Sequence, residues 1–248
     1  TFPLEDHLAV VEAAEARSLE QIHAALERDG DRIAGLIIEP IQGEGGDNHF
    51  RPEYLRALRK VCDENELLMI VDEVQTGTGT TGRWWAYQHH GIEPDVLCFG
   101  KRMQVCGILA GARLDEVQSV FHTSSRINST WGGNLVDMVR ATRYLQVIEA
   151  EQLVENAAAM GDHFVARLRE LQGAFGDLIS NVRGRGLFVA FTLPDGATRN
   201  RVIELCMQDG LLAIGSGPTS VRARPPLTVT REEIDEAVEI LRGALGRL

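Results

Sequence analysis

Residues 69–85 read MIVDEVQTGTGTTGRWW: an apolar run, an acidic pair, and a loop in which Gly77, Gly79 and Gly82 spell G-x-G-x-x-G. The fold depends on what those glycines are for. A dinucleotide site needs them at the immediate end of the strand, so that the pyrophosphate meets the N-terminus of the next helix. Here Asp72, Glu73, Val74, Gln75 and Thr76 intervene, and two carboxylates would repel that pyrophosphate. The following RWWAYQHHG, residues 83–91, is too short and too aromatic for a crossover helix of about ten residues or more. Arg83 and Trp84 also stand where a P-loop carries lysine and serine or threonine. The loop is therefore read as turning the chain away from the sheet, near a site entrance or a subunit contact.

The acidic pair is more informative. Asp72 follows five apolar residues, Leu67 to Val71. Its carboxylate is thus expected at the C-terminal edge of a buried strand, where open α/β sheets bind ligands. An unpaired buried carboxylate is costly, so a cationic partner is expected as well. Lys101 ends the next apolar run, DVLCFGK, and adjacent parallel strands would bring both ends to one crevice. An acid and a lysine at such a rim, with no metal ligands nearby, suit pyridoxal phosphate. The amine forms a Schiff base with the cofactor aldehyde, and the acid keeps the pyridine nitrogen protonated. Taken by itself, Lys101 reads equally well as a surface lysine or as an ion-pair partner of Asp72. The chain's other lysine, Lys60, lies between Arg56 and Glu64 on a solvated helix face.

Around this pair the apolar pattern alternates. Residues 6–29 read as a helix through Leu8, Val11, Ala14, Leu19, Ile22 and Leu26, and RIAGLIIEP reads as a strand stopped by Pro40. Residues 51–67 form an amphipathic helix opened by Pro52, with Leu55, Leu58, Val61 and Cys62 on one face. LLMIVDE and DVLCFG are further strands, followed by ILAGA. Uniformly apolar strands between helices indicate a parallel sheet covered on both faces. After STWGGN come one long helix or two over 135–172, VRGRGLFVAFTL, a helix across TRNRVIELCMQ, and short strands near LLAI and VRARP. A last helix opens on Thr230 and Glu233 in capping-box register. The expected fold is α/β: residues 1–140 belong to a large parallel-sheet domain and residues 141–248 to a smaller α+β domain, the change falling near 135–150.

The 248 residues carry a net charge of −11, which disfavours nucleic acid and anionic membranes as partners. No apolar run is long enough to span a bilayer. Cys62, Cys98, Cys106 and Cys206 form no C-x-x-C pair and no disulfide framework, which points to a reducing cytoplasm, and no metal site is read. The chain starts at Thr1, and its first thirty residues lack a signal peptide's basic start and apolar centre. A start within a longer protein, or at a processing site, is expected.

The ordered segments 39–86, PDVLCFGKRM, STWGGN and VRARPPL resemble the class III, fold-type I pyridoxal phosphate aminotransferases across most of residues 36–227. Within that family GEGGDNHFRPE, NSTWGGN and GKRMQVCG are most similar to the branch that moves the ε-amino group of L-lysine to 2-oxoglutarate. The products of that branch are L-glutamate and 2-aminoadipate 6-semialdehyde; the ornithine and 4-aminobutyrate branches are the alternatives. The resemblance implies that Lys101 forms the Schiff base and shuttles a proton, and that Asp72 pairs with the pyridine nitrogen. It places Val74 on a ring face and Gln75 on the phenolic oxygen. Ser129 and Thr130 would meet cofactor phosphate, Thr130 that of a neighbouring subunit in a homodimer with shared sites.

For substrate, the resemblance implies that Arg222 grips a carboxylate, with Arg224 as alternative, and that Asn128 touches the substrate. Glu44 resembles a glutamate that gates a second arginine, expected outside this chain. Relatives often carry GFGRTG where this sequence has GTGTTG. The family's preceding portion, with an SGSEA-like phosphate loop and a ring-stacking aromatic, is absent from the sequence, so a role limited to binding or assembly is a further alternative.

Overall fold

The computed structural model describes residues 4–127, 130 and 132–248. Helix α1 (Leu4–Asp29) leads into strand β1 (Gly35–Ile38), and the short strands β2 (Ile41–Gln42) and β3 (Asn48–His49) form a two-stranded ribbon. Helix α2 (Pro52–Glu64) begins with proline at its first turn, where a missing N–H costs nothing, and buries Tyr54, Leu55, Leu58, Val61 and Cys62. Strands β4 (Leu68–Asp72), β5 (Val96–Phe99) and β6 (Gly107–Ala110) complete a sheet of order β1-β4-β5-β6. The first three run parallel, while β6 turns back antiparallel to β5.

The expected cover on both faces is met on one only. Leu55, Leu58, Met69 and Val71 form a core with Leu19, Ile22 and Leu26 of α1 packed against it. On β1, side chains alternate across the sheet, and Ile37 is left 64% exposed.

The second half contains helices α3 (Leu135–Ala150) and α4 (Leu153–Ala174), so the long apolar pattern is two helices. The break falls at Gln152, whose backbone is left-handed (φ 53°). Strands β7 (Ser180–Arg185) and β8 (Phe188–Thr192) form a hairpin, followed by α5 (Gly196–Gln208), β9 (Ile214–Ser216), β10 (Ser220–Ala223) and α6 (Arg231–Leu245). These strands make an antiparallel sheet of order β7-β8-β10-β9. Its core joins Phe164, Leu168 and Leu171 of α4 to Val189 and Phe191 of β8 and Ile234, Val238 and Leu241 of α6. The capping box forms as read: the Thr230 amide donates to Glu233 Oε2 at 2.8 Å, and the Glu233 amide to Thr230 Oγ1 at 3.3 Å.

Candidate active site

Strands β4 and β5 are parallel neighbours with Asp72 paired to Cys98, so the two chain ends leave the sheet side by side. Asp72 Oδ1 accepts from the Val74 amide at 2.9 Å, a tight turn that sets Val74 and Gln75 at the rim. Beyond β5, a Cβ at Gly100 would lie 3.0 Å from Cys106 Sγ and 3.4 Å from Val74 Cγ1. Glycine lets the chain slip between these side chains. Lys101 follows with φ 45°, a left-handed conformation that costs a non-glycine residue roughly 1 kcal/mol or more. The turn it opens is closed by Met103 and Gln104 amides donating to the Gly100 and Lys101 carbonyls. The exposed Lys101 side chain acts by charge on Glu44, and among the described residues no ion pair joins it to Asp72. Lys60 instead lies 3.5 Å from Glu64 on an open helix face.

The glycine loop differs from its reading. Thr76, Thr78, Thr80 and Thr81 are all buried, because the loop is clasped between the first sheet and the second half. The Leu187 amide donates to Thr80 carbonyl oxygen at 2.9 Å. Gly82 lies against Ala158 of α4, and Gly186, at the β7–β8 turn, lies against Thr80, Thr81 and Gly82. The loop is an internal seam. Its organiser is Glu73, which is 1% exposed. Glu73 accepts from Thr76 Oγ1 at 2.6 Å and from the amides of Ala86 and Tyr87 at 2.9 and 2.7 Å. Burial pushes its carboxyl upward, the three donors pull it back, and the Asp72 charge adds to the rise.

The loop between β2 and β3 is held by the second sheet. Ser216 Oγ donates to the Gly43 carbonyl at 2.6 Å, and the Gly217 amide to the Glu44 carbonyl at 3.1 Å. Arg183 donates to the Gly46 and Asp47 carbonyls at 2.6 and 2.8 Å. Burial lowers the Arg183 guanidinium to about 10, with the Asp47 charge opposing.

From this loop Glu44 reaches Arg222 of β10, Oε1 to Nη2, at 2.5 Å. The partner of Glu44 is therefore within this chain, contrary to the expectation of an arginine outside it; the topology joins positions 178 residues apart. The Arg222 side chain is 9% exposed and that of Glu44 76%. The hydrogen bond and charge of Arg222 hold the Glu44 carboxyl below its ordinary range, with smaller contributions from Lys101 and Gln75.

Arg224 is committed elsewhere. It pairs with the fully buried Asp47 and lies 3.2 Å over the Phe188 ring. Burial first, against the Asp47 charge, brings its guanidinium to about 10. Arg222 Nε and Nη1 and Gln75 Oε1 are buried with no partner. Buried polar atoms of this kind call for a ligand or water. Thr130 is exposed; Asn128 and Ser129 lie outside the described residues.

Sequence reasoning missed Glu73, Asp47 and Arg183. Glu73 had a signal, an acid directly after a strand-ending acid, whereas the others are defined only by distant partners. Among the described residues no group of three or more histidine, cysteine, aspartate or glutamate side chains is placed to hold a metal ion.

A parallel sheet whose rim presents an acid and a lysine, flanked by an antiparallel sheet carrying a buried arginine, is an α/β architecture of the fold-type I kind. Residues 1–245 match the family described as Aminotransferase class-III, and the chain belongs to that family. It is 52% identical over 234 residues to the L-lysine-epsilon aminotransferase of Mycobacterium tuberculosis, covering 94% of this chain and 52% of that one. An acetylornithine aminotransferase of Gloeobacter violaceus is 41% identical, over 88% of this chain and 54% of that one. Among solved structures, lysine aminotransferase from M. tuberculosis superposes with a TM-score of 0.93 at 51% identity, over 95% of this chain and 55% of that one. The chain thus spans about half the length of the relatives it matches.

Proposed function

We propose that this chain supplies the acid, the Schiff-base lysine and one carboxylate-binding arginine of a pyridoxal phosphate-dependent L-lysine 6-aminotransferase. The reaction moves the ε-amino group of L-lysine to 2-oxoglutarate, giving L-glutamate and 2-aminoadipate 6-semialdehyde. The observation that carries the proposal is the rim itself: Asp72 ends β4, and Lys101 opens the turn two residues past the end of the parallel neighbour β5. The residues fit the cofactor. Asp72 has an acceptor oxygen to spare for the pyridine nitrogen, Val74 borders Gly100 beside Lys101, and Gln75 offers its amide. When bound, pyridoxal phosphate supplies an electron sink for the substrate carbanion. Lys101 then holds and returns the proton at its Nζ.

Arg222 is the carboxylate grip in this reading, because Arg224 is already spent on Asp47. Glu44 neutralises Arg222 while an amine donor is bound and leaves it when a dicarboxylate acceptor arrives. Its exposure permits that swing. Asn128, Ser129 and Thr130 are assigned to substrate and to phosphate, Thr130 across a homodimer. The division into residues 1–140 and 141–248, and a cytoplasmic setting for four free cysteines, belong to the same proposal. No described helix is long and apolar enough to cross a membrane.

Borohydride reduction of the cofactor-loaded protein, followed by peptide mass spectrometry, should place the label on Lys101. A label on Lys60 would overturn the assignment. A donor panel of L-lysine, N-acetylornithine, ornithine and 4-aminobutyrate with 2-oxoglutarate should rank L-lysine first by kcat/KM; another winner moves the enzyme to that branch. A second reading, binding or assembly only, is favoured by the open apolar side chains of Ile37, Leu135, Val136 and Val139. It predicts that the 248-residue chain alone neither takes up cofactor nor turns over.

A further inference from the structure

Glu73 is a buried titratable group with no part in the chemistry above, yet it stands next to Asp72 at the rim. Its amide donates to the Cys98 carbonyl of β5 at 2.9 Å, and its own carbonyl accepts from the Gly77 amide at 3.0 Å. Its carboxylate takes three further donors: Thr76 Oγ1 and the amides of Ala86 and Tyr87. All three are donors, so a carboxylate satisfies them, whereas an amide in its place would set an NH2 against one of them. The contacts radiate from this one residue to strand β5, to the turn at 74–77 and to the chain at 86–87. Asp72 directly precedes Glu73, and Val74 and Gln75 lie in the turn it closes.

We propose that Glu73 is a positioning residue of the cofactor site, a buried carboxylate strut that fixes the turn carrying Asp72, Val74 and Gln75 and thereby sets cofactor affinity. The inference rests on the cofactor reading above. Glu73 touches neither substrate nor cofactor; it acts through the turn. Partly satisfied buried polar networks are costly, and a loosened site residue degrades binding before it degrades the fold.

The test is pyridoxal phosphate affinity, read from quenching of intrinsic fluorescence in the intact protein, together with the visible absorption of the bound cofactor across pH. Glu73→Gln should raise the dissociation constant about tenfold or more and shift the absorption pH profile. Thr76→Val removes one of the three donors and should raise the constant by about threefold in a protein that still folds, so the proposal stays testable if Glu73→Gln fails to fold. Glu64→Gln, on the open face of α2, should change nothing. Unaltered affinity and pH profile in a folded Glu73→Gln, or in Thr76→Val, overturns the role of Glu73 alone. A wild-type protein that takes up no pyridoxal phosphate overturns the cofactor reading with it.

Discussion

Arg222 is a buried guanidinium with one glutamate for company and two nitrogens unengaged. That imbalance predicts the behaviour of Glu44. Removing a countercharge leaves a buried guanidinium seeking another carboxylate. Glu44→Gln should therefore lower KM for the dicarboxylate acceptor and raise it for the amine donor. Glu44 is largely solvated, so the pair is screened and each change is held to about fivefold, or about 1 kcal/mol. Steady-state kinetics with each substrate varied separately reads both. Movement of the two KM values in the same direction would remove Glu44 from any gating role. The pair also has a pH sign: Glu44 is held below its ordinary range, so the pair is complete above that range and is lost as pH falls through the lowered value.

The GTGTTG loop shows what local pattern conveys and what it omits. Gly77 answers to the nearby Trp85 ring, but Gly79 and Gly82 answer to Val154 and Ala158 of α4, partners that follow the loop by many residues. Gly82 has φ 80°, and an added Cβ would stand 2.8 Å from Ala158 Cβ and 2.9 Å from its Cα. Gly91, just beyond the same loop, has φ 64° and nothing within 4 Å. Gly91→Ala should therefore cost only the backbone strain, about 1 kcal/mol, while Gly82→Ala adds overpacking for about 2–4 kcal/mol in all. Urea unfolding of both variants decides it; equal losses would mean that the seam yields and is not tightly packed. What was readable in the sequence follows the same division. Pro52, the Thr230–Glu233 cap and the strand end at Asp72 are local signals, and they stand where the chain says, while β5 stops at Phe99, two residues short of the lysine read as its end. The Glu44–Arg222 pair, the Arg183 clamp and the break at Gln152 depend on distant neighbours or a single backbone angle, which no spacing rule records.

Taken whole, the described residues form two four-stranded sheets and a short ribbon, joined along a seam that is rich in basic groups. His49 meets Phe188 edge-on at 6.3 Å, His89 Nε2 is 3.0 Å from the Thr81 carbonyl, and His90 is 1% exposed with both ring nitrogens unpartnered. Burial lowers His49 to about 3, with Arg183, Arg185, Arg224 and His90 adding. It lowers His89 to about 4, helped by Arg185 and Arg83, and His90 to about 4, helped by Arg185, His89 and Arg56 against an opposing Glu53. An unfolded chain would protonate these rings near the ordinary value of about 6.5. Between there and about pH 4 the unfolded state binds more protons, so stability must fall as the pH falls, and the slope fades once the folded rings protonate too. For the enclosed His90 the loss should reach about 1–2 kcal/mol by pH 5, and less for the partly open His89. The melting temperature should accordingly drop between pH 7 and pH 5, before most carboxylates titrate. Because no hydrogen bond is lost with the His90 ring, His90→Gln should fold and flatten part of that drop. A melting temperature level from pH 7 to 5, or a slope in His90→Gln equal to wild type, would show that the seam opens to water and that these histidines titrate freely.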